Sequence, residues 1–449
     1  MKKECDLLNG PIAGSLARLA LPIMGTSFIQ MAYNLTDMIW IGRVGSGAVA
    51  AVGAAGMYIW FSNGLITIPR IGGQIKTAHA LGGGKIDEAA SYARNAIQMG
   101  VLFGILFAAA CTIFIRPLIA FFKLNQPEVR NDAKIYLMIT GGCIIFNFMN
   151  LVLTGIMTAM GKSLVTFKAT LIGLVVNIVM DPVLIFGMGP FPKMGVAGAA
   201  IATVLAQIIV FLVFLKIVWK EPVIFQRLHL FQKPQKMYMI MILKMGFPVA
   251  VQSMIFSMIG MATARIVAAW GDAAVAVQKV GSQIESIAWM TAEGFGSAVN
   301  AFIAQNHGAG KKERIKKGYE TAMAIMVVWG IFTTLLLVVF PESIFKIFIT
   351  EKDVIPMGVS YLWILGVSEW FNCNELTSAG AFQGLGKPTP PAVVSIVFTA
   401  ARIPMALLLS STALGLDGVW WSLSISSIIK GIVVPLWFVI VLKKYLNQK

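Results

Sequence analysis

Runs of eighteen or more apolar residues recur along the whole chain, and this feature decides what it can fold into. A run of that length crosses the hydrocarbon core of a bilayer as one helix. In lipid every backbone polar group must be satisfied internally, so a chain built of such runs folds as a bundle of helices. Only 12% of the 449 residues are charged, about half the usual share in a soluble domain. Reading apolar runs between turn signals gives twelve spans, at 14–41, 47–72, 93–117, 133–159, 164–188 and 195–219, then 240–269, 275–303, 319–341, 355–381, 391–413 and 418–442. The expected class is an all-α polytopic membrane protein with the lipid bilayer as its solvent. The opening segment "MKKECDLLNGPIAGSLARLALP" begins polar and has no small-residue cleavage site after its first apolar run, so no removed signal peptide is expected.

The net charge of +16 would suit a nucleic acid, but its distribution argues against one. Basic residues fall in alternate loops: Lys76 and Lys85, Lys162 and Lys168, then Lys311, Lys312, Arg314, Lys316 and Lys317, and finally Lys443, Lys444 and Lys449. The intervening loops hold Asp272, then Glu342, Glu351, Lys352 and Asp353, then Asp417; the loop at 117–134 is mixed. By the positive-inside rule this places both termini in the cytoplasm of a multi-pass plasma (inner) membrane protein. The connector at 220–239 carries Arg227, His229, Lys233 and Lys236 beside apolar residues. It reads as a linker lying on anionic headgroups, with a regulatory partner site as the alternative. Cys5, Cys111, Cys143 and Cys373 are scattered without a CxxC pair and read as small apolar fillers. His79, His229 and His307 have no metal-ligand spacing.

The chain repeats itself at an offset of 225–226 residues. "GSGAVAAVG" at 45–53 returns as "GDAAVAVQK" at 271–279, "ALGGGK" at 80–85 as "NHGAGK" at 306–311, "AMGK" at 159–162 as "GLGK" at 384–387, and Pro22 as Pro248. Six spans per half is an even number, so the halves run in the same direction. The expected organisation is a first lobe at 1–219, a linker at 220–239 and a second lobe at 240–449, related by a pseudo-twofold axis along the membrane normal. Parallel repeats of this kind mark transporters that alternate access between two lobes. A functional monomer is expected. The repeat also disposes of a decoy. "GIMTAMGKS" at 155–163 nearly reads as a phosphate-binding loop, but its first glycine is one residue too far away and its twin has Pro388 where Ser163 stands. No nucleophile–base pair, nucleotide fingerprint or cofactor motif accompanies it. The chain does not read as an enzyme, and active transport would draw on an ion gradient.

The polar residues inside the spans break the repeat. "VVNIVMDPVLIF" at 175–186 places Asn177 and Asp181 mid-span, directly before Pro182. At the corresponding positions of the second half, Asp37 becomes Thr263, Asn177 becomes Arg402 and Asp181 becomes Ala406. A role in packing the repeat would call for polar twins; a role in one lobe would not. Asn177 and Asp181 are four residues apart and share a helix face, as do Tyr33 and Asp37. Asp181 and Thr203 both lie roughly 11–12 Å below the outer surface at 1.5 Å per residue. Two carboxylates, an amide and a hydroxyl offer oxygen ligands to a hard cation such as Na+. Alternatively one carboxylate holds a proton, or each acid is satisfied locally and braces helices. Gln30, Tyr33, Asn34, Asn147 and Asn150 are candidates to line a substrate cleft. Glu285, Glu369, Glu375 and Arg402 form a candidate second-lobe group, read either as acids neutralised by Arg402 or as a second proton site. Pro22 and Pro182 are candidate bending points.

"LALPIMG", "QMAYNLTDMIWIGRVGSGAVAAVG", "NIVMDPVLIFGMGPFPKMGVAGAAIAT" and the Gly-Lys turns resemble the multidrug and toxic compound extrusion (MATE) transporters of the MOP flippase superfamily. They are most similar to the bacterial and archaeal branch with an acidic site in the first lobe. The likeness covers both halves of the chain. It implies Na+- or H+-coupled antiport of amphipathic, often cationic, small molecules through a cleft between lobes. Asp37 matches the first-helix acid of that branch, fifteen residues after the bending proline, here Pro22. Asn177, Asp181 and Thr203 match its hydrogen-bonding and sodium-site partners. Another branch carries an essential Glu on the seventh span; here "FPVAVQSMIFSMIGMATA" holds Gln252 and no acid. The competing functions are a flippase for lipid-linked saccharides, which would want several Arg residues in one furrow, and a membrane-embedded enzyme or scaffold. Arg18, Arg70, Arg265 and Arg402 are scattered, and no catalytic constellation is present.

Overall fold

Helices account for all the regular structure of the described residues, which in this computed structural model are 6–447 apart from 123, 125, 231 and 350. Cys5 and Lys449 lie outside them. The chain packs as two units. The first, residues 25–250, contains the second half of α1 (Ile12–Val44), then α2 (Ser46–Gly82), α3 (Ile86–Ile113), α4 (Ile115–Ala120), α5 (Pro127–Gly142), α6 (Ile144–Ala159), α7 (Ser163–Phe186) and α8 (Val196–Trp219). A 3-10 turn at Phe225–Arg227 and the first half of α9 (Lys236–Ala268) complete it. The second unit combines residues 6–24 with residues 251–447. It contains the second half of α9, α10 (Asp272–Gly308), α11 (Lys312–Val339), α12 (Pro341–Phe345), α13 (Ile355–Gly384), α14 (Thr389–Ala400), α15 (Arg402–Ser410) and α16 (Leu416–Asn447).

Helices stand at all twelve positions expected from the apolar runs. Nine of them are long and apolar enough to cross a membrane, and α5 with α6, bent by 44°, makes a tenth. The two that fall short of that apolarity are α10 and α13. Their interiors hold Lys279, Glu285 and Glu293, and Ser368, Glu369, Asn372, Asn374 and Glu375. On α13 all five of those polar residues are buried, so polarity there serves the unit's interior. Some boundaries also move. Lys76, placed in a loop by the sequence, belongs to the closing turns of α2. Helices α2, α6, α10 and α13 each run into a Gly-Lys turn. Gly84, Gly161, Gly310 and Gly386 take φ of 71°, 78°, 68° and 72° there, a left-handed conformation that glycine adopts without strain. Of "GIMTAMGKS", Gly155–Ala159 close α6 and Ser163 opens α7, with one of these turns at 160–162 between them.

The division into units differs from a cut at the 220–239 connector. Each unit boundary falls three residues past a proline, Pro22 in α1 and Pro248 in α9. Proline removes a backbone donor and clashes with the preceding turn, so the two halves of such a helix are free to diverge. The first half of α1 buries Leu16 and Leu19 in the second unit's core with Phe302, Phe382 and Phe438. The first half of α9 buries Ile242 in the first unit's core with Phe148 and Phe214. There α9 meets α2 backbone to backbone: a Cβ on Gly72 would stand 2.2 Å from the Ile242 carbonyl oxygen, and one on Gly246 2.2 Å from that of Ile68.

The connector is built into the first unit. Ile224 and Phe225 are buried in its core. Glu221 forms a buried ion pair with Lys162, and Arg227 pairs with Asp87 at 2.7 Å. Gln98 donates to the carbonyls of Leu230 and Gln232 at 2.9 and 2.8 Å, and the amide of Gln235 donates to Asn95 Oδ1 at 2.9 Å. The strap is thereby laced along α3.

Candidate functional site

Three helices of the first unit bring the expected residues together. On α7, Asn177 and Asp181 are fully buried, and Asn177 Nδ2 donates to Asp181 Oδ1 at 3.2 Å. On α8, Thr203 Oγ1 donates to Asp37 Oδ2 at 3.5 Å. From α1, Tyr33 donates through its hydroxyl to the Thr203 carbonyl at 3.4 Å. The carboxyls of Asp37 and Asp181 lie side by side, close enough to share a proton. Pro182, next to Asp181 inside α7, has no N–H to donate to the Ile178 carbonyl one turn back.

Three oxygens in this cluster are buried without a hydrogen-bond partner: Asp37 Oδ1, Asn177 Oδ1 and Asp181 Oδ2. Orphaned acceptors at such density are rare in folded proteins. Two neighbouring carboxylates with spare oxygens need either a proton between them or a cation beside them. The donor set is two carboxylates, an amide oxygen and a hydroxyl, all hard ligands suited to Na+ and unsuited to a soft transition metal. No group of three or more His, Cys, Asp or Glu that could hold a metal occurs among the described residues.

The proposed cleft residues divide. Tyr33 belongs to the cluster itself. Gln30 and Asn34 are exposed on α1, and Asn147 is half-buried on α6. Asn150 is buried and its Nδ2 donates to the carbonyl and to Oε1 of Gln207 at 2.9 and 2.8 Å, which makes it a brace between α6 and α8. Tyr136 was missed. It is buried on α5 and adjoins Asp37, Asp181 and Thr203. Its sequence signal was a lone tyrosine in an otherwise apolar stretch of the fourth span.

In the second unit the acids also converge. Tyr361 donates to Glu285 Oε2 at 3.4 Å, and Glu369 is fully buried beside Glu285 and Asn372. Glu375 forms a buried ion pair with Lys430 at 3.0 Å. Arg402 donates through Nε to Ser426 and through Nη2 to Ser427, both at 3.0 Å, and stacks on Phe256 at 5.7 Å. Lys430 is the residue missed here, although a lysine in the middle of the last span should have called for an acid. Two cations, Lys430 and Arg402, thus stand among three acids, and Glu375 is the one acid of the three with an ion-pair partner among the described residues.

The MatE family model matches the chain at residues 22–183 and again at 248–408. The two matches start 226 residues apart and end 225 apart, the same offset as the internal repeat. A probable multidrug resistance protein NorM of Thermotoga maritima is 28% identical, over 91% of this chain and 88% of its own length. A probable multidrug resistance protein YoeA of Bacillus subtilis is 27% identical over 90% of this chain and 89% of its own. Among solved structures, a MATE in complex with MaD5 superposes with a TM-score of 0.91 at 22% identity, each chain covered in full.

Proposed function

The chain belongs to the MatE family, and from that premise we propose that it is a cation-coupled antiporter expelling amphipathic, often cationic, small molecules by alternating access. That it is a multidrug efflux transporter of many membrane-spanning helices, and not an enzyme, follows from the family and its relatives. The coupling mechanism is the further step. The observation that carries it is the first-unit cluster of Asp37, Asn177, Asp181 and Thr203 with its three partnerless oxygens.

The residues would work as follows. With a proton or Na+ at the cluster, Asp37 and Asp181 are neutralised and their helices can approach. When the cation leaves, two like charges face each other across low-dielectric surroundings and α1 and α7 are pushed apart. Pro22 and Pro182 weaken those helices where the shift must be absorbed. Entry of one positive charge contributes about 2.3 kcal/mol per 100 mV of membrane potential. That is comparable to the roughly 2.5–3.5 kcal/mol cost of a mid-helix carboxylate on insertion scales. Asn177 and Thr203 hold the carboxylates in place and supply the additional oxygens that Na+ requires. The positive-inside distribution supports a plasma-membrane location with both termini cytoplasmic, and the two-unit chain a functional monomer.

A lipid-linked saccharide flippase is less well supported. It would call for several free arginines in one furrow, whereas Arg402 is engaged by Ser426, Ser427 and Phe256. The test is efflux of a fluorescent organic cation from proteoliposomes with Na+ and pH gradients imposed separately. Transport driven by either gradient supports the antiporter. Equal transport with both gradients collapsed would refute it.

A further inference from the structure

A groove of about 700 Å³ opens between the last turns of α8 and the 3-10 turn of the connector, lined by Leu215, Lys216, Val218, Trp219, Phe225 and Gln226. Both walls belong to the first unit. Its apolar side continues the exposed surface of α8, where Leu212 and Leu215 face outward and Trp219 is 85% exposed. An indole at the end of a membrane span sits at headgroup level, apolar ring toward the chains and N–H toward water.

The charge around the groove is one-sided. From Lys216 to Lys236 the chain holds five basic side chains, Lys216, Lys220, Arg227, Lys233 and Lys236, and a single acid, Glu221. Glu221 is buried and committed to Lys162. Asp87, the acid that α3 presents to this strap, is committed to Arg227. Lys216, Lys220, Lys233 and Lys236 are exposed and none has a carboxylate partner among the described residues. A concave surface with an apolar floor, an interfacial tryptophan and uncompensated lysine matches a molecule with acyl chains and a negative headgroup.

We propose that this groove binds an anionic phospholipid, with Lys216 at the headgroup phosphate, Trp219 at the glycerol level and Leu212 and Leu215 along an acyl chain. The inference rests on the chain spanning a bilayer and is independent of which cation drives transport. Bound there, the lipid would hold the end of α8 against the connector, which Gln98 and Asn95 already lace to α3. The connector leads directly into α9, so the lipid would set the anchorage from which that helix starts.

The experiment is native mass spectrometry of the purified full chain in mixed micelles containing phosphatidylglycerol or phosphatidylcholine at equal concentration. The wild type should retain phosphatidylglycerol in preference. Lys216→Gln should lower that occupancy about fivefold, the contribution of one lysine near an anionic surface, and Trp219→Ala should lower it for both lipids. Lys236→Gln, on the same strap but outside the groove, should change it less than twofold. Equal retention of the two lipids would overturn the proposal. So would an effect of Lys236→Gln as large as that of Lys216→Gln, or full displacement by inorganic phosphate at the same concentration. Asp37→Asn should retain the lipid while losing transport, so failure of the antiporter reading and failure of the lipid site are read separately.

Discussion

Asp37 and Asp181 share one problem: each is a carboxylate inside a membrane span, and each faces the other. Asn177 and Thr203 each donate to one of the two carboxylates without neutralising the pair. In the proposed mechanism the remaining imbalance is what lets the cluster bind and release a cation. Asp181→Asn should therefore weaken coupling strongly while leaving the fold intact, measured as gradient-driven efflux by protein of unchanged melting temperature. Thr203→Ala should reduce Na+ binding at least tenfold and proton-driven efflux far less, because Na+ needs several oxygen ligands and a proton needs one base and a partner. Thr263, the second-half counterpart of Asp37, donates to the Ile259 carbonyl of its own helix and to no other group among the described residues, and Thr263→Val should transport normally. Equal sensitivity of Thr263 and Asp37 would contradict an asymmetric site. The first-unit residues were legible in the sequence because a carboxylate in an apolar run is conspicuous, and because the repeat supplies its own comparison. Tyr136 was not, since a buried tyrosine in a span is ordinary until its neighbours are known. Lys430 was overlooked for the opposite reason: its partner, Glu375, stands 55 positions away.

At the scale of elements, the helix positions followed from apolar runs and turn residues, while their ends and partners did not. Lys76 looked like loop because polarity rises at the end of α2, yet the helix continues to Gly82. The allocation of half-helices to units was also hidden. Pro22 and Pro248 announced a weak point in α1 and α9, but only packing shows which core each half joins. The contact of α9 with α2 depends on two glycines that let backbones meet. Gly72→Ala and Gly246→Ala should each destabilise the protein by about 1–3 kcal/mol, the usual effect of overpacking, read as a lowered melting temperature. Gly56, also on α2 with nothing near its Cβ position, is the control. Gly56→Ala should be neutral or slightly stabilising, since alanine is favoured in a helix by about 1 kcal/mol.

For the whole molecule, the repeat is visible three times: in the motifs, in the two family-model matches and in the parallel succession of spans. What the two halves share is scaffold. What they do not share is the placing of charge, since the first unit sets Asp37 beside Asp181 with no ion-pair partner among the described residues, whereas the second sets Lys430 and Arg402 among its acids. The central claim is that the first-unit pair couples cation entry to efflux. Its most direct test is gradient-driven efflux by Asp37→Asn in proteoliposomes beside the wild type. Asparagine keeps the size and hydrogen-bonding capacity of the side chain but cannot take up or release a proton. The account predicts that the folded variant binds substrate yet transports at the background rate under both Na+ and pH gradients. Wild-type transport by that variant under either gradient would contradict it.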